Sequence, residues 1–293
     1  MGAVRSRYID LDGPVHVADL GGDGRPVVCV HGLGGSYANW VGAAPYLSRL
    51  GHVTALDLPG FGLTPPLGRS AGVEANRRLL HRYLSGLDGP AILVGNSMGG
   101  AIALRQAAHS PSTVSRLVLV SPAAPWAFHR VRWDPLIILF FIAYALPGLS
   151  SMMLLGRHRL APEPVARLIL RMLTAHPERI DPGLVDLHVR LARQRNHIPG
   201  IDKAFIRASR SVVLAALRRS SYDRLVAAVR APTLVLHGER DRLIPPEAAL
   251  RLGSLRPDWQ VRILEDVGHV AMLEEPSRFG RLVDAFVRSP AVA

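Results

Sequence analysis

Short apolar runs rich in β-branched residues recur along this chain, and each runs into a glycine-containing turn and then a helical pattern. Pro26 to His31 leads into Gly32-Leu33-Gly34-Gly35 and a helical stretch through Leu50. His52 to Leu56 leads into Asp57-Leu58-Pro59-Gly60-Phe61-Gly62 and a helix over 74–87. Ala91 to Val94 and Arg116 to Val120 continue the series, and Ala231 to Gly238 and Gln260 to Leu264 resume it before a C-terminal helix from Pro276 to Arg288. Strands that are apolar throughout, rather than at alternate positions, need cover on both faces. Strand–helix alternation of this kind predicts a mostly parallel twisted sheet flanked by helices, an α/β fold. Residues 5–20 add a hairpin around Asp12-Gly13.

The rhythm breaks once. After Pro122 about a hundred residues carry helix-like segments punctuated by prolines, near 135–146, 163–175, 183–195 and 201–218, with no convincing strand. The economical division is a core made of residues 1–121 and 223–293, interrupted by a helical cap at 122–222. With 293 residues, 48% of them apolar and 20% charged, the chain can bury a core of that size. Ligands of open α/β sheets bind beyond the carboxyl ends of the strands. An insertion leaving from such an end is expected to roof the site as a lid.

Three segments carry chemistry. Gly95-Asn96-Ser97-Met98-Gly99 places a serine where a strand meets a helix. Such a sharp turn tolerates little bulk, and glycines two residues to either side let neighbouring backbone pass while the hydroxyl is lifted out of the sheet. A serine hydroxyl is a poor nucleophile until a base takes its proton and a third group orients that base. Asp241 follows the strand ending at Gly238, and His269 follows the strand ending at Leu264. In a parallel sheet all three emerge at one edge. Glu239 and Asp266 are alternative acids, but Asp266 lies only three residues before His269, whereas Asp241 comes from a separate strand end. Acyl transfer also needs N–H donors for the oxyanion, worth about 3–4 kcal/mol each. The backbone of Met98 and of Leu33, with Gly34 next, are the candidates, and His31 reads as structural within its turn.

His31-Gly32, Asp57-Leu58-Pro59-Gly60-Phe61-Gly62, Gly95-Asn96-Ser97-Met98-Gly99-Gly100, Gly238-Glu239-Arg240-Asp241 with Pro245, and Gly268-His269 span nearly the whole core in order. In these the chain resembles the α/β-hydrolase superfamily, in its cap-bearing branch. The resemblance implies the α/β-hydrolase fold, with Ser97, Asp241 and His269 as nucleophile, acid and base. Epoxide hydrolases and haloalkane dehalogenases share the fold but use an aspartate nucleophile where this chain has Ser97.

The element around Ser97 is similar to that of meta-cleavage product hydrolases, which break carbon–carbon bonds in acidic substrates. Val270 stands where those enzymes usually carry an aromatic, and their oxyanion loop is longer than His31 to Gly35. Arg193 or Arg195 would have to meet the substrate's acid. The cap holds an uncharged run from Leu136 to Leu146, closed by Pro147-Gly148 and followed by Met152-Met153-Leu154-Leu155. The run is too short to span a bilayer, which takes about 20 residues, and a helix apolar on every side is buried or meets something apolar. The expected function is therefore a serine esterase or lipase acting on apolar acyl esters, monoacylglycerols among them. Gly34, Trp126, Phe128, Leu139, Phe140 and Val270 are expected to line the substrate pocket. Carbon–carbon hydrolysis is the first alternative. A silent binding protein of the same fold is the second, although such proteins typically lose the acid or the histidine.

Composition narrows the partners. The net charge of +12 is almost wholly arginine, Lys203 being the only lysine, and it is spread along the chain rather than gathered in a basic arm. No nucleic-acid module is present, while contact of the apolar cap with a membrane surface stays open. The single cysteine, Cys29, lies in an apolar strand and excludes an internal disulfide. Neither a phosphate-binding glycine pattern nor a metal-spaced His/Cys/Asp cluster occurs, so no cofactor and no metal are implied. The N-terminus lacks an apolar signal-peptide core, which makes the cytoplasm the expected location.

Overall fold

A computed structural model describes residues 4–125 and 161–290. Strands β1 (Arg5–Asp10) and β2 (Pro14–Asp19) form the hairpin, turning at Asp12 and Gly13, both of which have positive φ. They are followed by β3 (Pro26–Val30), the short helices α1 (Ala38–Val41) and α2 (Ala44–Leu47), β4 (His52–Leu56) and α3 (Val73–Ser85). Then come β5 (Ala91–Asn96), α4 (Met98–His109) and β6 (Val114–Val120). The helical stretch predicted through Leu50 is thus two single turns, with Pro45 at the start of the second.

All eight strands join one sheet in the order β1-β2-β4-β3-β5-β6 and then β7 (Thr233–Gly238) and β8 (Gln260–Leu264). β2 runs antiparallel to β1 and β4, and every pairing from β4 to β8 is parallel. The apolar strands are read by both faces. Leu93 of β5 packs in one core cluster with α3 and α4, while its neighbours Ile92 and Val94 pack in the other with Trp40, Leu47 and Phe279. β6 alternates likewise, Leu117 and Leu119 facing one way, Val118 and Val120 the other. Successive side chains of a strand point to opposite faces, so two covered faces demand apolar residues throughout.

The remaining helices complete both layers. α5 (Pro162–Leu173), α6 (Pro182–Arg195) and α7 (Ile201–Leu217) lie within 122–222, the segment expected from the sequence to form the cap, and α8 (Arg219–Ala228) follows directly. α8 crosses residue 222, and its Tyr222 and Val226 lie in the sheet's core cluster beside α4. α9 (Glu247–Leu255), which the sequence pattern did not single out, packs on β7 and β8, and α10 (Ala271–Glu274) and α11 (Pro276–Arg288) close the second face. In the chain these helices fall between β6 and β7. Among the described residues no helix is long and apolar enough to cross a membrane. The uncharged run 136–146 and the proposed pocket residues Trp126, Phe128, Leu139 and Phe140 lie outside the described residues.

Candidate active site

Ser97 sits between the last residue of β5 and the first of α4 with φ +54° and ψ −115°. A non-glycine residue in that region costs about 1–3 kcal/mol, so the surroundings must hold it there. They do so through its backbone: Ser97 N–H donates to Val120 O at 3.0 Å, and Ser97 O accepts from Ala101 and Ala123. The turn also needs its glycines. A methyl group on Gly99 would stand 2.2 Å from Val30 O, and one on Gly95 would stand 2.5 Å from Gly99 O. The helix therefore starts closer to the sheet than any side chain would permit.

Asp241 and His269 come from the loops after β7 and β8 and meet directly. His269 Nδ1 lies 2.7 Å from Asp241 Oδ2, and both side chains are buried. An ionised carboxylate only accepts, so Nδ1 is the donor and Nε2 remains the ring's basic nitrogen. The other carboxylate oxygen, Oδ1, accepts from the backbone N–H of Leu243 at 2.8 Å and of Ile244 at 2.9 Å. Burial by itself would raise the Asp241 pKa. The charge of His269 and hydrogen bonds from His237 and His269 outweigh it and hold the carboxyl well below the usual carboxylate range. His237, not singled out by the sequence pattern, is fully buried with Nε2 3.3 Å from Asp241 Oδ2 and 2.8 Å from Ile244 O. Its Nε2–H donates to Ile244 O and lies beside the same carboxylate oxygen that His269 meets.

The other candidate acids point elsewhere. Asp266 has a positive φ of 61° and joins His176, Arg179 and Arg240, of which His176 and Arg179 pull its carboxyl down to about 2. Glu239 accepts from the backbone N–H of Asp266 at 3.2 Å.

Asn96 joins the serine turn to the histidine loop. Its Nδ2 donates to Val120 O at 3.1 Å and to His269 O at 3.3 Å. The donor turn lies against the same point, because a methyl on Gly32 would come within 3.0 Å of Ser97 Cβ. Gly35 N–H donates to Gly32 O at 3.1 Å, and Gly34 has φ +77°, which together make a turn with Leu33 and Gly34 at its centre. The N–H groups of those two central residues are not used by the turn bond. Met98, first residue of α4, likewise has no intrahelical acceptor for its N–H. His31 is fully buried and structural: Nε2 accepts from Leu58 N–H at 3.0 Å, and Nδ1 therefore donates to Gly32 O at 2.7 Å. Burial lowers its pKa and keeps the ring neutral.

Side chains of α6 and α7 reach this edge. Arg195 of α6 donates to Gly34 O at 3.4 Å and Gly60 O at 3.1 Å, with its guanidinium 5.1 Å over the Phe61 ring. Phe205 of α7 stacks toward Phe61 at 6.4 Å and lies beside Gly34. Val270 is buried in the apolar cluster that includes Leu170 and Leu184 of the cap. Cys29 is buried in β3, and desolvation pushes its thiol pKa far up, which makes it a packing residue. Among the described residues no group of three His, Cys, Asp or Glu side chains has metal-binding proximity.

Residues 25–276 match the family model of the alpha/beta hydrolase fold. The chain belongs to that family. It is 32% identical over 274 residues to a 2-hydroxy-6-oxo-2,4-heptadienoate hydrolase of Pseudomonas putida, covering 91% of this chain and 90% of that one. To Lipase 1 of Psychrobacter immobilis it is 28% identical over 273 residues, covering 86% and 73% respectively. Among solved structures, a meta-cleavage product hydrolase from Pseudomonas fluorescens superimposes with a TM-score of 0.74 at 25% identity, covering 96% of each chain. As a member of this family the protein is a hydrolase of the α/β fold.

Proposed function

We propose that the protein is a serine hydrolase that cleaves esters of apolar acyl groups through an acyl-enzyme on Ser97. The observation that carries this reading is the buried His269–Asp241 pair, 2.7 Å apart, tied through Asn96 to a serine in a strained turn. His269 Nε2 takes the Ser97 hydroxyl proton as Oγ adds to the ester carbonyl carbon. The oxygen that gains the negative charge is met by the N–H groups of Met98 and Leu33. Collapse expels the alcohol, which leaves with the proton from His269. Water then adds to the acyl-enzyme by the same route, releasing the acid and restoring Ser97. Asp241 stays ionised throughout and offsets the positive charge on the imidazolium.

The ester preference rests on the cap. The uncharged stretch Leu136 to Leu146 and the methionine–leucine run after it suit an acyl chain better than an acidic substrate. Gly34, Trp126, Phe128, Leu139, Phe140 and Val270 are the proposed lining, and peripheral contact of the cap with lipid belongs to the same reading. Carbon–carbon hydrolysis of a meta-cleavage product is the second reading, favoured by the relative in Pseudomonas putida. The same serine, histidine and donors serve it, and the difference lies in what the cap recognises.

A panel of p-nitrophenyl esters from acetyl to palmitoyl, monoacylglycerols and a chromogenic meta-cleavage product, assayed with wild type and Ser97→Ala, tests both. Turnover of medium or long esters that vanishes in Ser97→Ala supports the ester reading. Turnover of the dienoate alone replaces it with the second. No labelling of wild type by a fluorophosphonate, together with no turnover, leaves a binding protein of this fold.

A further inference from the structure

Glu274 is a carboxylate buried against an apolar layer. It ends α10, is 2% exposed, and follows Val270, Ala271, Met272 and Leu273, all of them buried. A buried carboxylate carries a desolvation penalty of several kcal/mol unless hydrogen bonds offset it, so the identity of its partners matters. Oε1 accepts from the backbone N–H of Ala175 at 3.1 Å and of His176 at 2.8 Å. Oε2 accepts from Ala175 at 3.2 Å and from Gly268 at 2.9 Å. One side chain thus gathers backbone donors from two remote segments: the linker that follows cap helix α5, and the residue immediately before His269.

Two further contacts lie along the same seam. His269 N–H donates to Leu173 O at 2.7 Å, which fixes the histidine's own backbone to the last residue of α5. A methyl on Gly268 would meet Leu173 O and Ala175 N, both at 2.7 Å, so the two backbones are in contact with no room between them. Farther out, Asp266 holds His176 at 2.9 Å and Arg179 at 2.7 Å. The linker after α5 therefore stands on the histidine loop.

We propose that Glu274 is a positioning residue: it locks the backbone of the His269 loop to the linker after α5, so that the placement of the imidazole depends on that linker being seated. This rests on the serine-hydrolase reading. Glutamine at 274 keeps the shape but offers one acceptor oxygen and an NH₂ group where only acceptors fit, which sets a donor against a donor at one of the two segments. Aspartate keeps the charge but is one methylene short of spanning both. A misplacement of the base by a fraction of an ångström to an ångström costs about 10- to 100-fold in rate.

The test is the kcat and KM of Glu274→Gln and Glu274→Asp on a short p-nitrophenyl ester, each normalised to the Ser97 sites that a fluorophosphonate titrates. The expected result is a kcat per titrated site lowered about 10- to 100-fold in Glu274→Gln with KM nearly unchanged, a slower labelling of Ser97 in proportion, and partial recovery in Glu274→Asp. An unchanged kcat per titrated site, with only fewer titratable molecules, makes Glu274 a folding residue and overturns the proposal. Absence of labelling and turnover in wild type overturns the serine-hydrolase reading and this one with it. If neither variant folds, hydrogen exchange on the unaltered protein decides: peptides over 173–177 and 266–270 opening together support the lock, and independent opening overturns it.

Discussion

His269 and Asp241 form a buried hydrogen-bonded pair, Nδ1 to Oδ2 at 2.7 Å, in which the aspartate's second oxygen is saturated by two backbone N–H groups. That saturation fixes which oxygen faces the ring, and the ring's tautomer follows from it. Asp241→Asn turns the acceptor into an amide and favours the tautomer with its proton on Nε2. The expected loss in kcat is about 10⁴-fold, with KM changed little, as read by steady-state kinetics on whichever substrate of the panel the wild type turns over.

The same pair contributes to stability in acid. Asp241's folded pKa lies below its unfolded value of about 3.9. A depressed carboxyl contributes stability above the unfolded pKa, and that contribution is lost as pH falls toward the folded one. The difference in Tm between wild type and Asp241→Asn is therefore expected to be full near neutrality and to shrink below about pH 4. Thermal melts from pH 7 to pH 3 check it, and a difference that grows on acidification contradicts the assignment.

Asn96→Ala removes the amide that holds both Val120 O and His269 O. Two buried carbonyls lose a donor, which is expected to destabilise the fold by about 1–3 kcal/mol. Because one of them belongs to His269, turnover per titrated Ser97 is expected to fall as well, and urea unfolding with active-site-normalised kinetics separates the two effects. A loss of stability with unchanged turnover removes Asn96 from the site and leaves it in the scaffold.

Gly99→Ala places a methyl 2.2 Å from Val30 O, and the obstacle is backbone in the central β3 rather than a flexible side chain. Relief requires α4 to move off the sheet, at an expected cost of about 3 kcal/mol. Circular-dichroism melts report the loss, and fluorophosphonate labelling reports whether the serine turn survives it. A variant as stable as wild type would show that the helix start is looser than described.

Much of this protein is local and so is written in its sequence. The apolar runs at β3, β5, β6 and β7 announce strands covered on both faces, because burial on two sides removes the polar alternation. Glycines at 95 and 99 announce a serine turn pressed against the sheet, because nothing larger fits there. The gathering of Ser97, Asp241 and His269 at the carboxyl ends of β5, β7 and β8 follows once the sheet is parallel. What joins distant segments has no such signature. The sequence favours Asp241 over Asp266 and Glu239 by its separate strand end, but only the course of the loops brings it to the ring while a left-handed Asp266 turns to His176 and Arg179. His237 reads as one more strand-end histidine until its Nε2 is found beside the acid. Glu274 and Ala175 are 99 positions apart, and their hydrogen bond leaves no periodicity for a sequence pattern to carry. The chain's order and sterics determined the fold and the candidate groups. Packing between remote backbones decided which of them touch, and how the linker after α5 is fastened to the histidine loop.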